Sequence, residues 1–144
     1  MILFEASTEA DLEQIAAWQA LDDSKSLELP HQFWLTGSDD NPLTCKVLDD
    51  QGVVLYLRMD KEGHGLRMHT LFMPNSREAR KRVASLLGDN FLNFAAQMAV
   101  HGDSIVFESK SPSLVNYMML LGFRSAGGND YRLLLGAEVV AETV

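Results

Sequence analysis

The alternation of apolar and polar positions divides the chain into short strands and a few helical stretches. Ile2 to Ala6 reads as a first strand. Thr8 followed by Asp11 resembles a capping box, with Asp in place of the usual Glu. Beyond it Leu12, Ile15, Ala16 and Ala20 recur at helical spacing to about residue 21. From Asp22 to Pro42 the pattern is mixed, with an apolar knot at Phe33-Trp34-Leu35, and it fits either a short second helix or a lid. Leu43–Leu48, Val53–Met59 and Leu66–Met73 are three strand-like runs. Asp49-Asp50-Gln51-Gly52 joins the first two and Asp60-Lys61-Glu62-Gly63 the next, so the spacing predicts an antiparallel meander.

Pro74 stops the third run, and the longest helical pattern follows it. Asn75 is the expected N-cap, with Glu78 three residues on. Ala79, Val83, Leu86, Leu87, Phe94, Ala95 and Met98 make one apolar stripe. Gly88 weakens the middle by ~1 kcal/mol relative to Ala, which makes a bend or break there an expectation. Ser104 to Glu108 is a buried-type strand, and Ser113 or Ser111 caps a helix through Leu121, with Gly122 as its left-handed terminal residue. Tyr131 to Leu135 is a last strand, reached through Gly127-Gly128-Asn129-Asp130. The order is strand, helix, meander, long helix, strand, helix, strand. That is an α+β domain with a mixed, mostly antiparallel sheet, expected over residues 1–136, with 137–144 as a loose tail.

Composition narrows the partners more than the fold. The chain has 144 residues, 47% hydrophobic and 22% charged, which is ordinary for a globular protein able to bury a core. A net charge of −8 and a pI near 4.8 argue against general nucleic-acid binding. Cys45 is the single cysteine, so no intrachain disulfide or multi-cysteine zinc site forms, and its place in a strand points to a buried, inert thiol. The N-terminus lacks the basic and long apolar regions of a signal peptide, and no apolar run approaches the ~20 residues of a membrane span. The expected setting is reducing and cytoplasmic.

Against that acidic background, Arg77, Arg80, Lys81 and Arg82 crowd the start of the long helix, where the backbone dipole disfavours each positive charge by ~0.3–1 kcal/mol. Three readings stay open. The cluster is an anion site for a phosphate-bearing ligand, a solvated face with Glu78 and Arg82 paired across one turn, or a dock for an acidic surface on a protein partner or a second copy.

Leu71-Phe72-Met73-Pro74 ahead of a long helix, and Ser111 to Phe123 ending in Leu121-Gly122-Phe123, carry a family resemblance. Together with the element order, they resemble the GNAT fold of the acyl-CoA N-acyltransferases over nearly the whole chain. The resemblance implies a single domain with helices on both faces of the sheet. It implies an acetyl-CoA site at the turn before the long helix, with Phe72, Arg77, Arg80, Lys81 and Arg82 as candidate cofactor-side residues. In active members of the family this turn carries Arg or Gln, two variable residues, and then Gly-x-Gly or Gly-x-Ala, whose backbone N–H groups cradle the pyrophosphate. Arg77 keeps the leading position, but Arg80 and Arg82 stand where the small residues belong. Where some members carry a tyrosine that protonates the leaving thiolate, this chain has Met118, and Ser111 stands at the position of a frequent asparagine.

His69 is the candidate general base, as the one side chain inside the third meander strand with a suitable intrinsic pKa. His64 sits in a turn, His31 and His101 have no partner spacing, and no histidine pair stands at metal-ligand spacing. The lost glycines and the lost tyrosine lead to the expectation of a GNAT-fold protein without catalysis or with weak activity. Small tailed-bacteriophage proteins of head assembly or the virion interior resemble it in this, and such a role implies virion association. The alternative is an active N-acetyltransferase that moves an acyl group from CoA to an amine, with His69 or a water as base.

Overall fold

The computed structural model describes residues 2–21, 29–35 and 41–135, except for the side chain of Asp89. The expected tail at 137–144 and most of the undecided segment between 22 and 42 lie outside the described residues. The elements are β1 (Leu3–Glu5), α1 (Leu12–Leu21), β2 (Leu43–Asp49), β3 (Gly52–Glu62), β4 (Gly65–Phe72), α2 (Arg77–Met98), β5 (Ser104–Glu108), α3 (Pro112–Leu120), β6 (Arg124–Gly127) and β7 (Asp130–Leu134). A single-turn 3-10 helix, Glu9–Asp11, precedes α1, and a second one spans His31–Trp34, which gives the apolar knot a short helical form.

The seven strands form one mixed sheet in the order β1-β2-β3-β4-β5-β7-β6. β1 pairs antiparallel with β2, and β2 with β3, with a register shift between Val47 and Leu48. β4 runs parallel to β5, but that pairing covers only Leu66–Ile105 and Arg67–Val106. β7 lies antiparallel to both β5 and β6. This is the mixed α+β architecture expected from the pattern.

The chain packs as two compact units, Met1–Met59 with His69–Asp89, and Asp60–Met68 with Asn90–Val144. In the first, Ile15 and Trp18 of α1 and Trp34 pack on Tyr56 of β3 and Leu71 of β4, with Phe33, Leu35, Val53 and Met73 around them. Burying each such side chain contributes roughly 1.5–3 kcal/mol. The opposite face of the same strands, with Cys45, Val47, Leu55, Leu57 and Met59, is buried too, so these strands are covered on both sides. Burial pushes the Cys45 thiol up to about 12, which keeps it neutral and inert.

The second unit is built on aromatic rings. Phe123 lies edge-on to Phe107, with centroids 5.1 Å apart, and tilted against Phe91 at 5.8 Å, while Phe107 also meets Tyr131 at 5.6 Å. Gly65 and Gly102 allow a close strand approach here. A Cβ on Gly65 would collide with the Ser104 hydroxyl, and one on Gly102 would come within 3.1 Å of the Gly65 carbonyl carbon. Arg67 joins β4 to β7 through two 3.0 Å bonds to the Asp130 carboxylate, and its Nε reaches Glu62.

The structure changes two local expectations, the α2 cap and the bend at Gly88, and decides between two serines for α3. The cap of α2 is Ser76, whose hydroxyl accepts from Ala79 N–H at 2.9 Å, because the Asn75 side chain instead accepts from Arg80 Nη1 at 3.1 Å. Of the two serines offered for α3, Ser111 is the cap, and Pro112 holds the first helical position. α2 runs unbroken through Gly88. The pattern does not predict β6, since Arg124-Ser125-Ala126-Gly127 is exposed throughout and shows no apolar alternation.

Candidate functional site

β4 and the start of α2 carry all the candidate residues, and both of those stretches from His69 onward lie in the first unit. Strand alternation puts His69 on the face of Leu71 and Met73, and Phe72, which is half-buried, on the other. The His69 ring stands edge-on to Phe33 with centroids 5.1 Å apart at 87°. Phe33 is itself fixed by Arg58, whose guanidinium carbon lies 4.1 Å from the ring centroid and whose Nη1 donates to the Phe33 carbonyl at 3.0 Å. Trp34 meets Phe33 from a further side at 5.1 Å and 81°. His69 and Trp34 thus flank one ring.

The segment that carries Phe33 and Trp34 is held by side chains rather than by strand pairing. Gln19 Nε2 donates to the Leu29 carbonyl at 3.2 Å, and its Oε1 meets His31 Nδ1 at 2.5 Å. Ser7 donates to the Trp34 carbonyl at 2.5 Å. Below it, the Asp11 carboxylate accepts from Thr8 N–H at 2.9 Å and from Lys46 Nζ at 3.1 Å, so the acidic residue of the capping box also anchors α1 to β2. Tyr56 donates to Gln14 Oε1 at 2.7 Å, and burial, reinforced by the Asp11 charge, holds its phenol well above the usual value. Sequence reading missed this network. Its members Asp11, Lys46 and Tyr56 lie far apart in the chain, and only the register that sets Lys46 opposite Tyr56 brings them together.

The four cations separate into two groups. Arg77, Arg80 and Lys81 are exposed at the opening of α2. Arg82 is turned back onto the β2–β3 turn, where Nε and Nη2 each lie 2.7 Å from an Asp49 oxygen and Nη2 also donates to the Gly52 carbonyl at 3.2 Å. The pair holds Asp49 below the usual carboxylate range and raises Arg82, with Glu78 adding a smaller favourable charge. Because the folded pKa of Asp49 is depressed, its stabilisation is present above the unfolded value and fades as the pH falls through the folded one. Asp49→Asn should therefore lower stability by about 1–3 kcal/mol at pH 7, and the gap to wild type should close below about pH 4, as seen in denaturant melts across pH.

Among the described residues, no group of three or more His, Cys, Asp or Glu side chains could hold a metal ion. No described helix is long and apolar enough to cross a membrane. On α3, Met118 is buried and Tyr117 half-buried.

No family model matches the chain, and no curated protein matches it. Solved structures do. The spermidine/spermine N-acetyltransferase SpeG from Vibrio cholerae, in mutant forms, superposes with a TM-score of 0.68 at 12% identity, over 98% of this chain and 99% of that one. The ribosomal-protein-S18-alanine N-acetyltransferase from Escherichia coli gives 0.63 at 10% identity, over 94% and 93%. A GNAT-family acetyltransferase from Streptococcus pneumoniae gives 0.63 at 16%, over 94% and 100%. The fold is the GNAT fold. At these identities the likeness establishes architecture alone, and on it the resemblance carried by Leu71–Pro74 and Leu121–Phe123 holds for the fold. All three of these structures are acetyltransferases, so the resemblance to bacteriophage proteins gains no support from them.

Proposed function

We propose that the chain is an N-acetyltransferase that uses acetyl-CoA and an amine acceptor. This moves the weight from the non-catalytic expectation to its alternative, since the GNAT-fold structures named above are acetyltransferases, one of them a spermidine/spermine N-acetyltransferase. The observation that carries the reading is the exposed triad Arg77, Arg80 and Lys81 at the opening of α2, directly after the strand bearing His69.

The residues present fit the phosphates of CoA, though by a different route from a glycine turn. Ser76 already takes the Ala79 N–H, and Arg82 is engaged with Asp49, whereas three charged side chains reach into solvent around the positive end of the helix. Arg77, Arg80 and Lys81 are the groups that would hold the phosphates. When bound, the thioester supplies the activated acetyl group. His69 accepts the proton that the amine nitrogen must lose, with Phe33 fixing its ring plane. Met118 has no proton to give, so as the C–S bond breaks the CoA sulfur would leave as a thiolate and take its proton from solvent.

Calorimetric titration with acetyl-CoA tests the reading. Wild type should bind, and an Arg77→Ala/Arg80→Ala/Lys81→Ala variant should lose at least about tenfold in affinity, with the wild-type affinity falling as salt rises. No heat and no thermal stabilisation at millimolar acetyl-CoA would sink it.

A further inference from the structure

Arg58 is half-buried in β3, opposite Thr44 of β2, and its guanidinium makes two contacts with a single residue of the His31–Trp34 turn. Nη1 donates to the Phe33 carbonyl at 3.0 Å, and the guanidinium carbon lies 4.1 Å from the centre of the Phe33 ring. Tying down the backbone needs only the first contact. The second holds the ring itself, since a planar guanidinium stacks on an aromatic face while its N–H groups bond elsewhere. Phe33 sits in a 3-10 turn outside the strand ladders, so no strand pairing sets the direction of its ring. The ring then meets Trp34 at 81° and His69 at 87°, each with centroids 5.1 Å away.

We propose that Arg58 is a positioning residue that, through the Phe33 ring, sets the plane of the His69 imidazole and with it the rate of proton removal from the amine. This role rests on the transferase reading, in which His69 is the base. The torsion that turns an imidazole is broad and soft, so the ring plane needs an outside constraint. A base also works only when a ring nitrogen reaches the proton it takes. An edge-on aromatic contact favours one plane, and a misplacement of ~1 Å at such a group costs about 10²-fold in rate. β3 is paired to β2 from Leu43↔Met59 to Asp49↔Gly52, which fixes the strand under Arg58. Arg58 thus carries the fixed position of the sheet to a ring in an irregular segment, and that ring carries it to His69.

The test uses the full chain, with acetyl-CoA and glycylglycinamide as substrates and the His69 ring protons followed by NMR. Phe33→Leu removes the ring and leaves the backbone carbonyl that Arg58 holds, so a role limited to anchoring the turn survives it. Phe33→Leu and Arg58→Met should each lower kcat about tenfold, leave the KM for acetyl-CoA unchanged and move the His69 ring resonances. Combined, they should lose no more than either alone, and in a His69→Gln background neither should cost anything further. Arg58→Lys keeps the charge without the planar fork, and should behave as Arg58→Met. Wild-type kcat in Phe33→Leu, a loss that persists without His69, or full recovery in Arg58→Lys overturns the proposal and leaves the transferase reading intact. If Arg58→Met fails to fold, Phe33→Leu decides. If wild type transfers no acetyl group, the transferase reading falls, and the His69 resonances decide the positioning: moved in Phe33→Leu, it stands, and unmoved, it falls.

Discussion

His69→Gln should keep its acetyl-CoA affinity and lose about 10²- to 10⁴-fold in kcat. Glutamine keeps a polar side chain of similar reach but accepts no proton at neutral pH, so the substitution removes the basic nitrogen and little else. The packing argues that the loss is chemical. His69 is half-buried, and the neighbours that fix it, Phe33 and through it Arg58, are held independently by the Phe33 carbonyl bond and the ring stack. Steady-state kinetics with acetyl-CoA and a saturating amine, run across pH, give the readout. The wild-type profile should fall at low pH where the base is protonated, and the variant should lack that limb. A variant with wild-type kcat would remove His69 from the chemistry and leave a water as the base.

Phe123→Ala should be the most damaging change to stability among the aromatic positions of the second unit, at about 3–5 kcal/mol. The side chain is 0% exposed and meets both Phe91 and Phe107, so truncation opens a cavity lined by rings that cannot easily collapse. Its backbone N–H closes the end of α3 on the Met118 carbonyl at 3.2 Å, and the preceding Gly122 takes φ 115°, which makes the turn geometry specific. Urea melts monitored by circular dichroism should show the midpoint falling with an unchanged slope. A loss below about 1 kcal/mol would mean that the ring cluster repacks and that the Leu-Gly-Phe ending has a lesser role.

Much of this architecture was readable from periodicity. Leu43–Leu48, Val53–Met59 and Leu66–Met73 stand out as apolar-rich runs between turn residues, and each appears within a few residues of its expected span. β6 could not be read this way, since an exposed edge strand has no apolar face to announce it. The α2 cap slipped by one residue because Asn75 and Ser76 are both good caps, and the choice depends on where the Arg80 side chain goes.

The site was harder to read for a related reason. Local spacing pairs Arg82 with Glu78 one turn away, yet its hydrogen bonds go to Asp49, 33 residues earlier. The same holds for Phe33 and His69, and for Lys46 and Asp11, which the folded chain brings together from distant positions. Residue type and pattern singled out His69 and the basic run. Only three-dimensional contact divides that run into a structural arginine and three exposed cations.

The aromatic cluster of the first unit has an optical consequence. Trp18 and Trp34 are the only tryptophans in the chain, and both lie in that cluster, while the rings of the second unit are phenylalanine and tyrosine. Intrinsic tryptophan emission therefore reports on the surroundings of α1 and His31–Trp34 and is nearly blind to the Phe91, Phe107 and Phe123 rings. A fluorescence melt and a circular dichroism melt of this protein measure different things, and any gap between them reads directly as one unit loosening before the other.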